Sequence, residues 1–564
     1  MNGRPVWFGA SDRPQFGWLG HPAAGPAGAG VLLCPPIGVE SLAAYRAFRH
    51  LALRLEALGL STLLLDYDGT GDSAGDVNDP DRVEAWTRTI AAGAEVMRAA
   101  GTTTLCAVGM RLGANLAAAA AARLPLHALV LWDPCASGSS FLREQRSLSA
   151  QVGGDSSNGA IDAPDLYYEQ RTVDDIRANL PALQLPPGSP STLVLVRPDR
   201  PFPSALRAAL TAAQVEWAEA TGQDRLIGVP VEQGAVPHDT VERVAAWLSR
   251  VAAAPTAVPA VDEPAASGGG ERPVALGPNR LFGIVTEPET LVSDTVVLFV
   301  NVANERHLGP ARGWVRLARR LARQGVRSVR LDLSGVGDSP ARPGRRRDVV
   351  YAQEWLDDLV DAVDALAPAP VVLVGLCSGA YSALECALAA RVRGVCVVNP
   401  ILDIEWLAPP SELWDERRRA LRVLPAPLRR LARRHRRVAE AVWRLVRQVA
   451  VRRCPAHVLA AAVRRGADVL VVSSPENAQA FRDTLFWRFV GLPRLRRTGR
   501  FRLEVVEQLD HSADRVRGRE AALESIAAHV IARHVQPATA RAAAPRRRLA
   551  RPVSLTSPSV EEPA

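Results

Sequence analysis

The chain has 564 residues, of which 48% are hydrophobic and 23% charged, and a net charge of +9. That length exceeds one ordinary core and predicts two domains of roughly 250 residues each, while the apolar share excludes a wholly disordered chain. Seven cysteines without a CxxC pair exclude a disulfide framework and predict a reducing compartment, the cytoplasm.

Met1 to Gly20 shows no basic stretch leading into an apolar core, and no uninterrupted apolar run approaches the length of a membrane span, so neither a leader nor a membrane helix is expected. The positive charge gathers at Arg345 to Arg347, Arg417 to Arg437 and Arg546 to Arg548. No aromatic-interleaved basic groove accompanies these arginines, so no nucleic-acid partner is expected.

From the N-terminus onward, a set of motifs recurs at one offset of 266 residues. Phe16-Gly17 answers to Phe282-Gly283, Leu65-Asp66 to Leu331-Asp332, and Gly69-Thr70-Gly71-Asp72-Ser73 to Gly335-Val336-Gly337-Asp338-Ser339. Gly109 and Gly113-Ala114 answer to Gly375 and Gly379-Ala380, and Pro134 to Pro400. Gly and Pro mark backbone positions that few other residues tolerate, so a shared register of them predicts a duplicated fold. The first copy spans 1–253. A flexible linker of Ala, Pro, Gly and Ser is expected over 254–272, and the second copy spans 273–535. The Ala-, Arg- and Pro-rich tail 536–564 has nothing to bury and is expected to be disordered.

In the second copy the pattern predicts a strand at Thr295 to Val300, a helix at Trp314 to Gln324 and a strand at Arg327 to Leu333. A helix at Trp355 to Leu366, a strand at Val371 to Val374, a helix at Ala380 to Ala390 and a strand at Val395 to Val398 follow. Asp468 to Val472 and Phe501 to Val506 read as the last strands, and Glu520 to Val535 as a terminal helix. Continuous β-branched runs alternating with amphipathic helices predict, in each copy, a mostly parallel sheet covered by helices on both faces. Ligands then bind at the carboxyl ends of the strands.

The segment Val371-Val-Leu-Val-Gly375-Leu376-Cys377-Ser378-Gly379-Ala380 runs from an apolar strand through GxCxG into a helix, which is the pattern of a nucleophile elbow. A thiol at a helix N-terminus is favoured as thiolate. His511, after the strand Phe501 to Val506, is the expected base, and Glu476, the first carboxylate after the strand Asp468 to Val472, the expected acid, with Asp403 in reserve. An oxyanion needs preorganised N–H donors; the expected ones are the backbone of Ser378 and of Val302 in the loop Asn301-Val302-Ala303-Asn304. Asn301 and His307 in that region are candidate substrate contacts. Asp332-Leu-Ser-Gly-Val-Gly-Asp338-Ser339 lacks the spacing of a phosphate loop and reads as a tight turn. No HExxH or clustered Cys and His is present, so neither a metal nor another cofactor is expected.

Through the Asn301 to Pro310 loop, Asp332 to Ser339, Gly375-Leu-Cys-Ser-Gly-Ala-Tyr381, Asn399-Pro400 and Asp510-His511, the second copy resembles α/β-hydrolases of the serine-aminopeptidase-like type. Through Cys34-Pro-Pro-Ile-Gly38 and Gly109-Met-Arg-Leu-Gly-Ala114, the first resembles hydrolases associated with exosortase and exopolysaccharide gene clusters. These resemblances imply two tandem α/β-hydrolase-like domains and cleavage of an ester, thioester or amide by a triad. Cysteine in place of the usual serine, as in dienelactone hydrolases and polyhydroxyalkanoate synthases, leaves open the choice between hydrolysis and acyl transfer.

Two further features bear on partners. Between Asn399-Pro400 and Asp468 an insertion, 401–467, carries Trp406, Trp414 and Trp443, with Leu424, Leu428, Leu431 and Val438 at helical spacing among arginines. It reads as a helical cap, and three roles stand for it: a lid over an acidic or lipid-carried acyl substrate, a peripheral membrane contact, and a solvated arginine face. In the first copy Arg111 stands where Cys377 stands, and Pro36 where Val302 stands. Guanidinium does not attack a carbonyl and proline has no N–H, so the first copy is expected to be non-catalytic, with Arg111 a candidate anion-binding residue and His238 and Asp199 remnants. The expected substrate is a small acyl compound or a carrier-bound acyl group; a transferase of the same mechanism and a wholly non-catalytic scaffold are the rival readings.

Overall fold

In a computed structural model of the chain, the described residues are 3–154, 156–185, 188–211, 215–229, 234–252, 267–342, 353–400, 455–483 and 491–535. Asp403, the tryptophans and Arg417 to Arg437 of the expected cap, Arg345 to Arg347, most of the expected linker and the tail lie outside them.

The first half forms β1 (Arg4–Phe8), β2 (Gln15–Gly20), β3 (Ala29–Cys34), β4 (Ser61–Asp66), β5 (Thr104–Met110), β6 (Ala128–Trp132), a small hairpin of β7 (Ile161–Ala163) and β8 (Leu166–Tyr168), β9 (Ser191–Val196) and β10 (Val215–Glu219). The second forms β11 (Glu271–Leu276), β12 (Leu281–Thr286), β13 (Ser293–Phe299), β14 (Val326–Leu331), β15 (Val371–Leu376), β16 (Gly394–Val398), β17 (Asp468–Ser473) and β18 (Phe501–Val505). The two eight-stranded sheets have the same order, β1-β2-β4-β3-β5-β6-β9-β10 and β11-β12-β14-β13-β15-β16-β17-β18. In each, the second strand runs antiparallel to its neighbours and the remaining pairs are parallel. Two tandem α/β units with helices on both faces are therefore the fold, as the periodicity implied. β11 begins at Glu271, inside the segment expected to be linker, because Gly268 turns the chain back onto Glu271 in an isolated bridge.

The reason for the layering is visible on single strands. Along β13, Val296 and Leu298 enter the core on one face of the sheet while Val297 and Phe299 enter the core on the other. Along β15, Val371 and Leu373 divide from Val372 and Val374 in the same way. Fully burying each such side chain contributes roughly 1.5–3 kcal/mol, so a run without polar residues is stable only with both faces covered.

The two halves share an interface built on one turn used twice. In the first, Asp66 accepts the Asp72 amide at 2.9 Å and the Ser73 hydroxyl donates to the Asp66 carbonyl at 2.6 Å. In the second, Asp332 accepts the Asp338 amide at 2.9 Å and Ser339 donates to the Asp332 carbonyl at 2.6 Å. Each turn then receives side chains from the opposite half. The Tyr45 hydroxyl donates to Asp338 at 2.5 Å, and Arg312 donates to the carbonyls of Gly69, Gly71 and Ser73 at 2.5, 2.7 and 2.6 Å. Trp18 and Phe282 meet at 5.1 Å beside them.

Candidate active site

β15 ends at Leu376, and Cys377 bends the chain into the helix Ser378–Ala389 with φ 53 and ψ −113. A side-chain-bearing residue held at positive φ costs on the order of 1–3 kcal/mol and persists only where the surroundings impose it. Here the imposition is close backbone packing. A Cβ on Gly375 would lie 2.3 Å from the Gly379 carbonyl, and one on Gly379 would lie 2.4 Å from the Asn301 carbonyl. The two glycines of GxCxG thus let strand, helix and the Asn301 loop approach one another, which pushes the half-buried thiol outward.

His511 follows β18 and meets that thiol, with Nε2 at 3.3 Å from the Cys377 Sγ. Its loop is held by Asn399, whose amide donates to the carbonyls of Asp510 and His511 at 2.6 and 3.0 Å while its oxygen accepts the Ser474 amide at 2.7 Å. Burial is the largest influence on the imidazole and lowers its pKa, with the carboxylates of Asp510 and Glu476 acting in the opposite direction.

The structure departs from expectation at the third member. Glu476 is exposed and influences His511 only through space. Its neighbour Asn477 is the residue at the ring, with its side-chain amide 3.2 Å from Nδ1. The atom at Nδ1 is the amide nitrogen; with the carboxamide turned end for end, its oxygen would accept the Nδ1–H and leave Nε2 as acceptor towards the thiol. The cause is a helix start: the Ser474 hydroxyl accepts the Asn477 amide at 3.2 Å, opening the helix Pro475–Asp483 so that Asn477 sits at the ring and Glu476 points to solvent. A search for carboxylates passes over this residue; the Ser-Pro-x-x cap signal was its only trace in the sequence.

The two expected oxyanion donors sit beside the elbow. Ser378 opens the helix after Cys377, and its hydroxyl accepts the amide of Ala303 at 2.7 Å, which ties the Val302 loop to the elbow. Among the described residues, no acceptor takes the backbone amides of Val302 or Ser378.

Asn301 and His307, expected as substrate contacts, are structural instead. Asn301 donates to Asp332 at 2.9 Å and to the Glu305 carbonyl at 2.8 Å, and accepts the Leu333 amide at 2.7 Å. His307 is buried between Asp332 and Asp72, with Nδ1 and Nε2 each 2.8 Å from a carboxylate oxygen. Burial lowers its pKa, but the attraction of Asp332 and Asp72 outweighs it and raises the value to about 10. It is a cationic tie between the halves.

Arg111 occupies the first half's elbow with φ 54 and ψ −125, the same bend as Cys377. The expectation of an anion site there is corrected by its surroundings: the guanidinium is already taken by Glu40 at 3.0 Å, by Asp133 at 3.5 Å and by Glu144. A fourth anion would find little unneutralised charge. His238 packs edge-on to His50 at 5.2 Å, and Asp199 pairs with Arg197 at 2.6 Å. A cavity of about 110 Å³ lies between the halves, lined in part by Pro36, Tyr67, Arg312 and Arg519, and neither Cys377 nor His511 borders it.

This strand order, with a sharp turn after the fifth strand facing a histidine delivered after the last, is that of an α/β-hydrolase fold. Residues 303–551 match the family described as the Alpha/beta hydrolase family, so the C-terminal half carries a domain of that family. Solved structures similar to parts of the chain include an alpha-beta serine hydrolase homologue from Coxiella burnetii, with 14% identity, 46% of this chain and 97% of that one covered, and a TM-score of 0.29. A dienelactone hydrolase from Anabaena variabilis shows 13% identity, coverage of 47% and 96%, and a TM-score of 0.30. Est1E from Butyrivibrio proteoclasticus shows 14% identity, coverage of 44% and 98%, and a TM-score of 0.32. No curated protein matches the sequence. Among the described residues no helix is long and apolar enough to cross a membrane.

Proposed function

We propose that the C-terminal half hydrolyses an ester or thioester of a small or carrier-bound acyl group, with Cys377 as nucleophile. The observation that carries this reading is the 3.3 Å approach of the Cys377 Sγ to the His511 Nε2 at a strained elbow. The imidazole takes the thiol proton as sulfur bonds to the acyl carbon; the carbonyl π electrons move to oxygen, where the amides of Ser378 and Val302 face the developing charge. Collapse of that intermediate expels the alcohol or thiol, which takes the proton back from His511 and leaves an acyl thioester on Cys377. Water, deprotonated by His511, then attacks this thioester; the acid is released and the thiol restored. Asn477, with its carboxamide oxygen turned to Nδ1, keeps the ring in the tautomer whose Nε2 accepts.

The N-terminal half is proposed to be non-catalytic, on the replacement of the nucleophile by Arg111 and of an oxyanion donor by Pro36. Its role is the interface that holds the Asn301 to Arg312 region in place. Turnover of a panel of acyl thioesters and p-nitrophenyl esters by wild type and by Cys377→Ala tests the reading. It requires activity that the substitution abolishes; activity equal in both would refute it.

A further inference from the structure

At the opposite end of the second sheet from Cys377, three side chains from distant parts of the sequence converge. Asp468 opens β17, and the C-terminal helix Val516–His534 brings His529 and His534 back across the sheet to meet it. One ligand atom from each lies within 4.8 Å of the others. The imidazoles are 4% and 3% exposed, yet both ring nitrogens of His534 have no hydrogen-bond partner and the His529 Nε2 has only the Asp468 carboxylate near it. A buried polar atom without a partner is destabilising, so two on one buried ring require an explanation.

The geometry points to a site for a divalent transition metal of the zinc class, held by Asp468, His529 and His534, with a fourth position for a solvent oxygen. The His529 Nε2 and Asp468 Oδ1 are 3.4 Å apart, long for a hydrogen bond. Tetrahedral zinc with bonds of about 2.0–2.1 Å separates adjacent ligands by roughly 3.3–3.4 Å, the spacing found here. The other carboxylate oxygen, Oδ2, accepts from Arg533 at 2.6 Å, which aims Oδ1 at the histidines as an outer-shell partner does. Two imidazoles and one carboxylate suit zinc, nickel or copper rather than calcium or magnesium. Gly394 is part of the cradle, since a Cβ there would lie 2.7 Å from the His534 Nε2. The nearby charges of Arg393 and Arg533 oppose a dication, which makes this a site of moderate affinity. Bound metal would clasp the C-terminal helix to the sheet, remote from the chemistry at Cys377.

The test uses the full chain prepared without a polyhistidine tag, stripped with EDTA and titrated with zinc alone against a chromophoric chelator. One equivalent binds, and the thermal midpoint rises on loading. His529→Gln and Asp468→Asn each weaken binding at least about 10-fold with unchanged circular dichroism, while Cys377→Ala keeps the full equivalent. Absence of zinc binding in wild type, or binding unchanged in His529→Gln and Asp468→Asn, overturns the proposal. Loss of the equivalent in Cys377→Ala also overturns it, by moving the metal to the Cys377–His511 pair.

Discussion

Arg111 and Cys377 occupy the same bend in the two halves, with φ of 54 and 53, each between the fifth strand of its sheet and the helix that follows. The first half has the same strained turn, with the same close backbone packing at Gly109 and Gly113, around a side chain that is a guanidinium. What holds that guanidinium is electrostatic: Glu40 and Asp133 are buried around Arg111, and burial already raises the Asp133 pKa to about 6 even with that cation beside it. Arg111→Ser should therefore give no turnover and should destabilise the chain by about 3–5 kcal/mol, the usual result of removing one partner of a buried ion pair. Urea denaturation and an esterase assay on the variant measure both. A gain of activity in the first half would contradict the account.

Asn477 lies at the His511 ring where Glu476 was expected. Asn477→Ala should lower kcat by about 10- to 100-fold through loss of the tautomer that presents Nε2. Glu476→Gln should change it less than about 3-fold, because the carboxylate is exposed and screened. Steady-state kinetics on both variants decide; the reverse order would restore Glu476 as the third member.

His307 makes the interface sensitive to alkali. Its folded pKa, about 10, lies above the ordinary 6.5, so its contribution is complete below about pH 6.5 and is lost as the pH rises through about 10. His307→Gln should unfold at lower urea than wild type at pH 6, by about 3 kcal/mol, and the gap should narrow at pH 10. A gap independent of pH would mean that the imidazolium is not the tie.

Cysteine reactivity should divide sharply. Burial pushes the thiols of Cys34, Cys106 and Cys386 up to about 12, whereas Cys377 is half-exposed at a helix N-terminus beside an imidazole. Brief iodoacetamide treatment near neutral pH, read by peptide mapping, should modify Cys377 well ahead of those three, and His511→Ala should slow it. Equal modification would favour a scaffold.

Much of this was legible in the sequence because the backbone dictates it. Gly375 and Gly379 announce the elbow since no other residue fits between the strand, the helix and the Asn301 carbonyl. The shared offset fixed both sheets for the same reason. Side-chain partnerships were less legible. Whether Glu476 or Asn477 meets His511 depends on a single turn of helix started by Ser474, and nothing in the spacing of His307 shows that Asp72, 235 residues away, completes its ion pair. Asp468, His529 and His534 meet only because the last helix folds back over β17.

The central claim is a covalent acyl intermediate on one sulfur. The most direct test mixes the full chain with an acyl thioester, quenches in acid within the first turnovers and maps the added acyl mass by peptide mass spectrometry. The adduct is expected on Cys377, released by hydroxylamine, absent from Cys377→Ala and longer-lived in His511→Ala once formed. An adduct on another residue, or turnover by Cys377→Ala at the wild-type rate, would contradict it.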